Sequence, residues 1–183
     1  WERRETPMHV GAVAILEAGP LTAADGGIDA TRVLEHVASR LHQLPRYRQR
    51  LAFTPLEGQP VWIDDAHFDL GYHVRRAALP RPGTDVELKA LVARILSERL
   101  DRAKPLWEMW IVEGLEGGRF ALVTKVHHCM VDGVSGMNLI TLLMSRGPEE
   151  PPVVAPGWSP APEPTALELL AGEGIRRARS GGA

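Results

Sequence analysis

Chemistry in this chain concentrates in one stretch, "KVHHCMVDGVSG", residues 125–136. Two of the 7 histidines stand side by side there, followed by Asp132 and Gly133. A neutral imidazole with a pKa near 6.5 suits removal of a proton from a hydroxyl or thiol near neutral pH. Side chains alternate faces along a strand. If residues 125–128 are extended, Val126 and His128 point one way and Lys125 and His127 the other. The two imidazoles then cannot serve one small site: one is poised for reaction and the other is structural. Asp132 lies four positions after His128, across a turn that its carboxylate can hold by accepting hydrogen bonds. Gly133 supplies backbone freedom where strand becomes helix.

Other readings of these letters are weaker. The pair taken alone is compatible with a purely structural role. A His-x3-Asp metal site lacks a nearby third ligand, although His67, His73 or a distant carboxylate could supply one. A Ser–His–Asp triad is less attractive, because Ser135 sits beyond the aspartate and no G-x-S-x-G elbow is present. Cys129 beside the histidines could act as a nucleophile, but a single cysteine is more often a small buried hydrophobe.

The elements that must position these residues are legible in the flanking pattern. Residues 8–19, "MHVGAVAILEAG", read as a strand. Residues 28–44 read as a helix with Asp29 as N-cap, Ile28 and Val33 as a staple, and Val33, Val37, Leu41 and Leu44 on one face. Pro45 ends it. Residues 47–76 read as short strands and turns, with "VWID" and "YHVRRA" as the strands. Residues 84–100 are a second helix, with Thr84 and Glu87 as a capping box and Leu88, Leu91, Val92, Ile95 and Leu96 as its apolar stripe. "WEMWIVE" and "RFALVTKVHH" are two strands joined by "GLEGG", a hairpin turn. A mostly apolar helix is expected from residue 132. From residue 148 the chain holds 7 of its 15 prolines within "PEEPPVVAPGWSPAPEP" and reads as an extended linker. A short helix capped by Thr165 and Glu168, interrupted by glycines, is expected after it. Arg46, Arg48 and Arg50 read as a solvated basic face that could also meet phosphates or an anionic membrane.

Bulk properties narrow the class. The 183 residues suffice for one domain with a real core. A hydrophobic content of 44% and a net charge of −2 fit a globular protein without the basic field that recruits nucleic acid. One cysteine excludes an internal disulfide and paired-cysteine metal patterns. No apolar run reaches the roughly 18–20 residues that span a bilayer. The expected location is cytoplasmic, with peripheral contact to a membrane or lipid inclusion. Trp1 stands where a starting methionine would, so residues upstream are expected, as is a partner domain beyond the linker.

"HHCMVDG" is similar to the HHxxxDG motif of the chloramphenicol acetyltransferase-like, coenzyme A-dependent acyltransferase superfamily. More narrowly, "ETPMHVGAVAIL", "LPRYRQRL", "FDLGYHVRRAALPRPG", "LDRAKPLWEMWIVEGLEGGRFALVTKVHHCMVDGVSG" and "WSPAPEPTALELL" resemble the N-terminal half of a bacterial wax ester synthase/diacylglycerol acyltransferase. The resemblance runs from Glu5 to about Leu170. It implies an α/β fold, a mixed sheet flanked by helices, forming one half of a two-domain enzyme. Residues 1–147 would be the N-terminal domain and residues 148–183 the crossover linker. It implies His128 as general base, His127 as structural support and Asp132 as a structural brace. Gly133, Trp107 and Trp110 are the expected substrate contacts, although for the tryptophans core packing is the competing reading. No metal and no bound cofactor are implied. Acyl-coenzyme A is the co-substrate, and diacylglycerol or a long-chain alcohol the acceptor. The implied partners are the C-terminal half, a lipid surface and a second copy in a homo-oligomer. The rivals are a condensation-type domain of the same superfamily and a catalytically silent binding half.

Overall fold

A computed structural model describes residues 8–131 and 155–180. Strand β1 (His9–Glu17) is apolar at most positions, with Val10, Val13 and Ile15 β-branched, and it pairs antiparallel with β6 (Arg119–His127), from His9↔His127 to Glu17↔Arg119. On its other side β6 pairs antiparallel with β5 (Trp107–Leu115), and β5 pairs parallel with β4 (Val74–Ala78). The sheet order is β1-β6-β5-β4, so β6 is interior. All of its residues between the two ends are buried, as a strand covered on both faces requires.

Two helices supply those covers. Val33 and Val37 of α1 (Ala30–Arg40) pack with Trp107, Met109, Ile111, Phe120, Leu122 and Val126 on one face. Leu88 and Ile95 of α3 (Asp85–Ser97) pack with Val112, Ala121 and Val123 on the other. The fold is therefore the expected mixed sheet flanked by helices. Gly11 of β1 is what lets α3 close down: a Cβ there would stand 2.5 Å from the side chain of Leu96.

The capping expectations hold. Asp29 accepts from the Arg32 N–H at 3.1 Å, and Thr84 and Glu87 form a reciprocal box at the start of α3. Helix α1 ends earlier than its apolar pattern suggests. Leu41–Gln43 tighten into a 3₁₀ turn and Leu44 leaves helical geometry, because Pro45 follows it. Tyr72 and His73, the first two residues of the expected strand "YHVRRA", belong instead to a short helix, α2 (Leu70–His73), capped by Asp69.

The region around the arginines departs most from expectation. Gln49–Phe53 forms β2, paired antiparallel with β3 (Pro60–Asp64). The arginines are half-buried rather than a solvated face. Arg46 lies 4.6 Å from the Trp62 ring centroid, Arg48 lies 5.0 Å from that of Trp158, and Arg50 pairs with Glu163 at 2.7 Å. The described part of the proline-rich segment docks back on this hairpin. The Ala161 N–H donates to Asp64 Oδ2 at 2.9 Å, and Trp158 meets Phe68 edge-on at 6.1 Å. The helix that follows, α4 (Ala166–Ser180), opens with the Thr165–Glu168 box and runs through Gly172 and Gly174. Each glycine costs about 0.5–1 kcal/mol against alanine. Tertiary contact offsets this, since Glu173 is buried and accepts from the Glu57 N–H at 2.9 Å.

The loop before α3 is held against the β5–β6 hairpin by a backbone approach with no slack. Gly83 has φ +77°, and a Cβ there would lie 1.9 Å from the Gly114 carbonyl oxygen. Gly83→Ala should therefore destabilise the fold by about 3 kcal/mol, combining left-handed strain with overpacking. Urea denaturation checks this, and an unchanged midpoint would show that the loop relaxes without cost.

Candidate active site

Alternation along β6 sends Phe120, Leu122 and Val126 to the α1 layer, and Ala121 and Val123 to the α3 layer. Lys125 follows the second set. Its Nζ, almost fully buried, donates to the Ile95 and Glu98 carbonyls at the end of α3, at 2.8 and 3.0 Å. A cation at that position satisfies orphan carbonyls and opposes the helix dipole. Glu108 is the direct cross-strand partner of Lys125, with Oε2 3.4 Å from Nζ. Arg75 on β4 reaches the other oxygen of Glu108 at 3.4 Å, lies 4.8 Å from the Tyr72 ring and also covers Trp110. A charge chain thus runs across three adjacent strands and ties the last turn of α3 to the end of β6.

The end of β6 is pinned from both neighbours. The His127 N–H donates to Leu106 O at 2.9 Å, on the β5 side, and the His128 N–H to Met8 O at 2.7 Å, on the β1 side. The strand stops at His127, one residue before its expected end, and His128–Met130 curl into a 3₁₀ turn. His127 caps that turn. Its Nδ1 accepts from the Cys129 N–H at 3.2 Å, and the Cys129 Sγ lies 3.0 Å from the same atom. An Nδ1 that accepts a backbone N–H holds a lone pair, so this geometry places the proton of His127 on Nε2. His127 also meets His9 edge-on at 6.1 Å. Met130 plugs the core three residues later, while His128 between them is exposed. One histidine is spent on holding the turn and the next is offered to solvent.

The turn also changes the reading of Cys129. Expected as a small buried hydrophobe facing away from its neighbours, it is exposed with its sulfur against His127. Strand alternation does not extend past His127, because the backbone is no longer extended there. Asp132 and Gly133, and the apolar helix expected after them, lie outside the described residues.

Trp107 and Trp110 occupy opposite faces of β5. Trp107 is fully buried, donates from Nε1 to Tyr47 O at 2.8 Å, and stacks on His73 at 4.6 Å with an interplanar angle of 11°. Trp110 packs on the α3 side and donates to Glu108 Oε2 at 3.1 Å. They do not line one surface together. His73 is sandwiched between Trp107 and Phe68 and donates from Nδ1 to Trp107 O at 2.8 Å. Among the described residues no cluster of three or more His, Cys, Asp or Glu side chains is arranged to hold a metal. No described helix is long and apolar enough to cross a membrane.

Arg75, Glu108 and Lys125 were given no role by the sequence, and His73 was named only as a possible metal ligand. The available signal was a pair of opposite charges, Glu108 in "WEMW" and Lys125 in "VTKVHH", inside strands otherwise apolar on both faces.

The fold is shared with a condensation domain. That domain, which releases chains from the enacyloxin polyketide synthase, superposes with TM-score 0.54 at 18% identity, over 94% of this chain and 33% of that one, which speaks to the fold alone. The wax ester synthase/diacylglycerol acyltransferase of Marinobacter aquaeolei VT8 is nearer: TM-score 0.66 and 37% identity, over 98% of this chain and 43% of that one. Two Mycobacterium tuberculosis proteins described as probable diacylglycerol O-acyltransferases are similar in sequence. One, tgs3, is 42% identical over 92% of this chain; the other, tgs1, is 44% identical over 75%. The chain spans 61% of the length of the first and 28% of the second. The wax ester synthase/diacylglycerol acyltransferase catalytic-domain profile matches residues 1–181, and the chain belongs to that family.

Two outcomes test how the site is held. Lys125→Met should cost about 3–5 kcal/mol in chemical denaturation, because it strands Glu108 and two helix-end carbonyls in the interior. For His73, burial lowers the pKa, outweighing the Trp107 carbonyl and the Asp65 and Glu108 carboxylates that raise it; Arg75 lowers it further. The folded state then keeps His73 neutral while the unfolded chain protonates near 6.5. Its contribution to stability is whole above that pH and falls away as the pH drops below it. In His73→Phe the fall in stability between pH 7.5 and pH 5 should be smaller than in the parent chain.

Proposed function

We propose that the whole protein transfers a fatty acyl group from acyl-coenzyme A to the hydroxyl of diacylglycerol or a long-chain alcohol, with His128 as the general base. The observation that supports this most is the asymmetry of the histidine pair in a chain of this family. His127 is committed to its turn through Nδ1, while the exposed His128 makes no side-chain hydrogen bond to another described residue. In the reaction the His128 imidazole takes the acceptor's hydroxyl proton as its oxygen attacks the thioester carbonyl. The tetrahedral oxyanion collapses, the carbon–sulfur bond breaks, and the coenzyme A thiolate leaves and recovers the proton from the imidazolium. The same reading gives Asp132 the role of structural brace of the motif and Gly133 that of a substrate contact. No metal or bound cofactor takes part. The activity belongs to the protein with its C-terminal half, which completes the site, and the work is done at a cytoplasmic lipid surface.

The test is acyl-coenzyme A consumption by the full-length protein, with diacylglycerol and hexadecanol as acceptors. Consumption should depend on an acceptor and survive dialysis against a chelator. His128→Ala should lose at least the roughly 10²-fold that a general base supplies, with its melting temperature unchanged. His127→Ala should lower the melting temperature. A His128→Ala enzyme as active as its parent would refute the assignment, and a requirement for a carrier-protein thioester would point to a condensation domain instead.

A further inference from the structure

A cleft of about 190 Å³ lies between the turn after α1 and the described part of the proline-rich segment, lined by His42, Pro45, Arg48, Pro156, Gly157 and Trp158. At about 30 Å³ per water it has room for about six waters, enough for a phosphate and a short attached group. Its two ionisable lining residues are basic, and no carboxylate among the described residues lines it. The neighbouring Arg50 has its counter-charge in Glu163, whereas no acidic side chain among the described residues pairs with Arg48. The Arg48 guanidinium carbon stands 5.0 Å from the Trp158 ring centroid, and a guanidinium held over an aromatic ring can still direct N–H donors at an oxyanion. Burial pushes the Arg48 pKa down, the mark of a cation partly withdrawn from water without compensation. His42 Nδ1 donates to the Ser39 carbonyl at 2.9 Å, which fixes the ring at the cleft wall.

We propose that this cleft binds a phosphate-bearing ligand, with the Arg48 guanidinium on the phosphate oxygens and Trp158 and His42 as walls of the cleft. The proposal is independent of the acyl-transfer reading, because no residue of the histidine turn lines the cleft. A phosphomonoester in solution and a phospholipid headgroup share the required chemistry.

The experiment is calorimetric titration of the purified protein with inorganic phosphate and with glycerol 3-phosphate. Alongside it, the protein is co-sedimented with vesicles of phosphatidylcholine alone or mixed with phosphatidylglycerol. Saturable binding is expected, weakened by about tenfold or more in Arg48→Met, as loss of a charge-assisted pair predicts. It should be unchanged in Arg46→Gln, whose guanidinium stacks on Trp62 outside the cleft. Arg48-dependent binding of glycerol 3-phosphate assigns a soluble ligand. Arg48-dependent binding to phosphatidylglycerol vesicles without it assigns a headgroup. Where Arg48→Met fails to fold, Arg48→Lys takes its place. It must also weaken binding, since an ammonium cannot stack and present a donor edge together. Absence of binding to every probe, binding indifferent to Arg48, or equal loss in Arg46→Gln would each overturn the proposal.

Discussion

The buried pair between Glu108 and Lys125 is the contact on which the placement of the histidines depends. Two charges leave water only when their hydrogen-bonding capacity is met inside, and here three elements are recruited to meet it. Lys125 takes two carbonyls from the end of α3, Glu108 takes the indole N–H of Trp110, and Arg75 approaches the remaining carboxylate oxygen. A neutral pair of the same size would pack there without specifying where α3 ends relative to β6. The ionic pair specifies it, two residues before the histidine turn.

From that anchor the asymmetry of the two histidines follows from backbone geometry. Both neighbours of β6 run out at the same level: Leu106 supplies a carbonyl on one side and Met8 on the other. With both sides satisfied at His127 and His128, the chain can leave the sheet, and it does so by curling. The curl brings the Cys129 N–H to the His127 ring, and Met130 into the core. Adjacent residues of one chemical type thus acquire opposite duties, one closing the turn and the other facing outward.

The proline-rich segment has a part in the same architecture. Its described residues lie on the β2–β3 hairpin through Trp158, Ala161 and Glu163, and α4 is moored to the hairpin loop through Glu173. Proline-rich sequence is extended because its φ is preset and half its donors are missing, and an extended segment can dock as readily as it can reach. That docking also creates the cleft beside Arg48.

Local signals in the sequence determined a great deal. Asp29, Thr84 and Thr165 announced their helices because a cap is a contact within four residues. "GLEGG" announced its hairpin because glycine is the residue for positive φ, and the apolar strands announced a two-sided sheet. The histidine motif, with its flanking "PLW", was sufficient to point to the family. What the tertiary structure alone decided were matters of long-range pairing. Strand β2 exists because "QRLAF" finds β3, although the sequence named no strand there and placed Arg50 in a basic face. Helix α4 runs through two glycines because Glu173 is buried against a loop 116 residues away in sequence. Cys129 faces out, against expectation, because β6 loses its partners at His127, an event set by where β1 and β5 end. Propensity and capping are local free energies and can be read from neighbouring letters. Register, burial of charge and the point at which a strand curls are decided by residues far away in the chain, and only the fold brings those together.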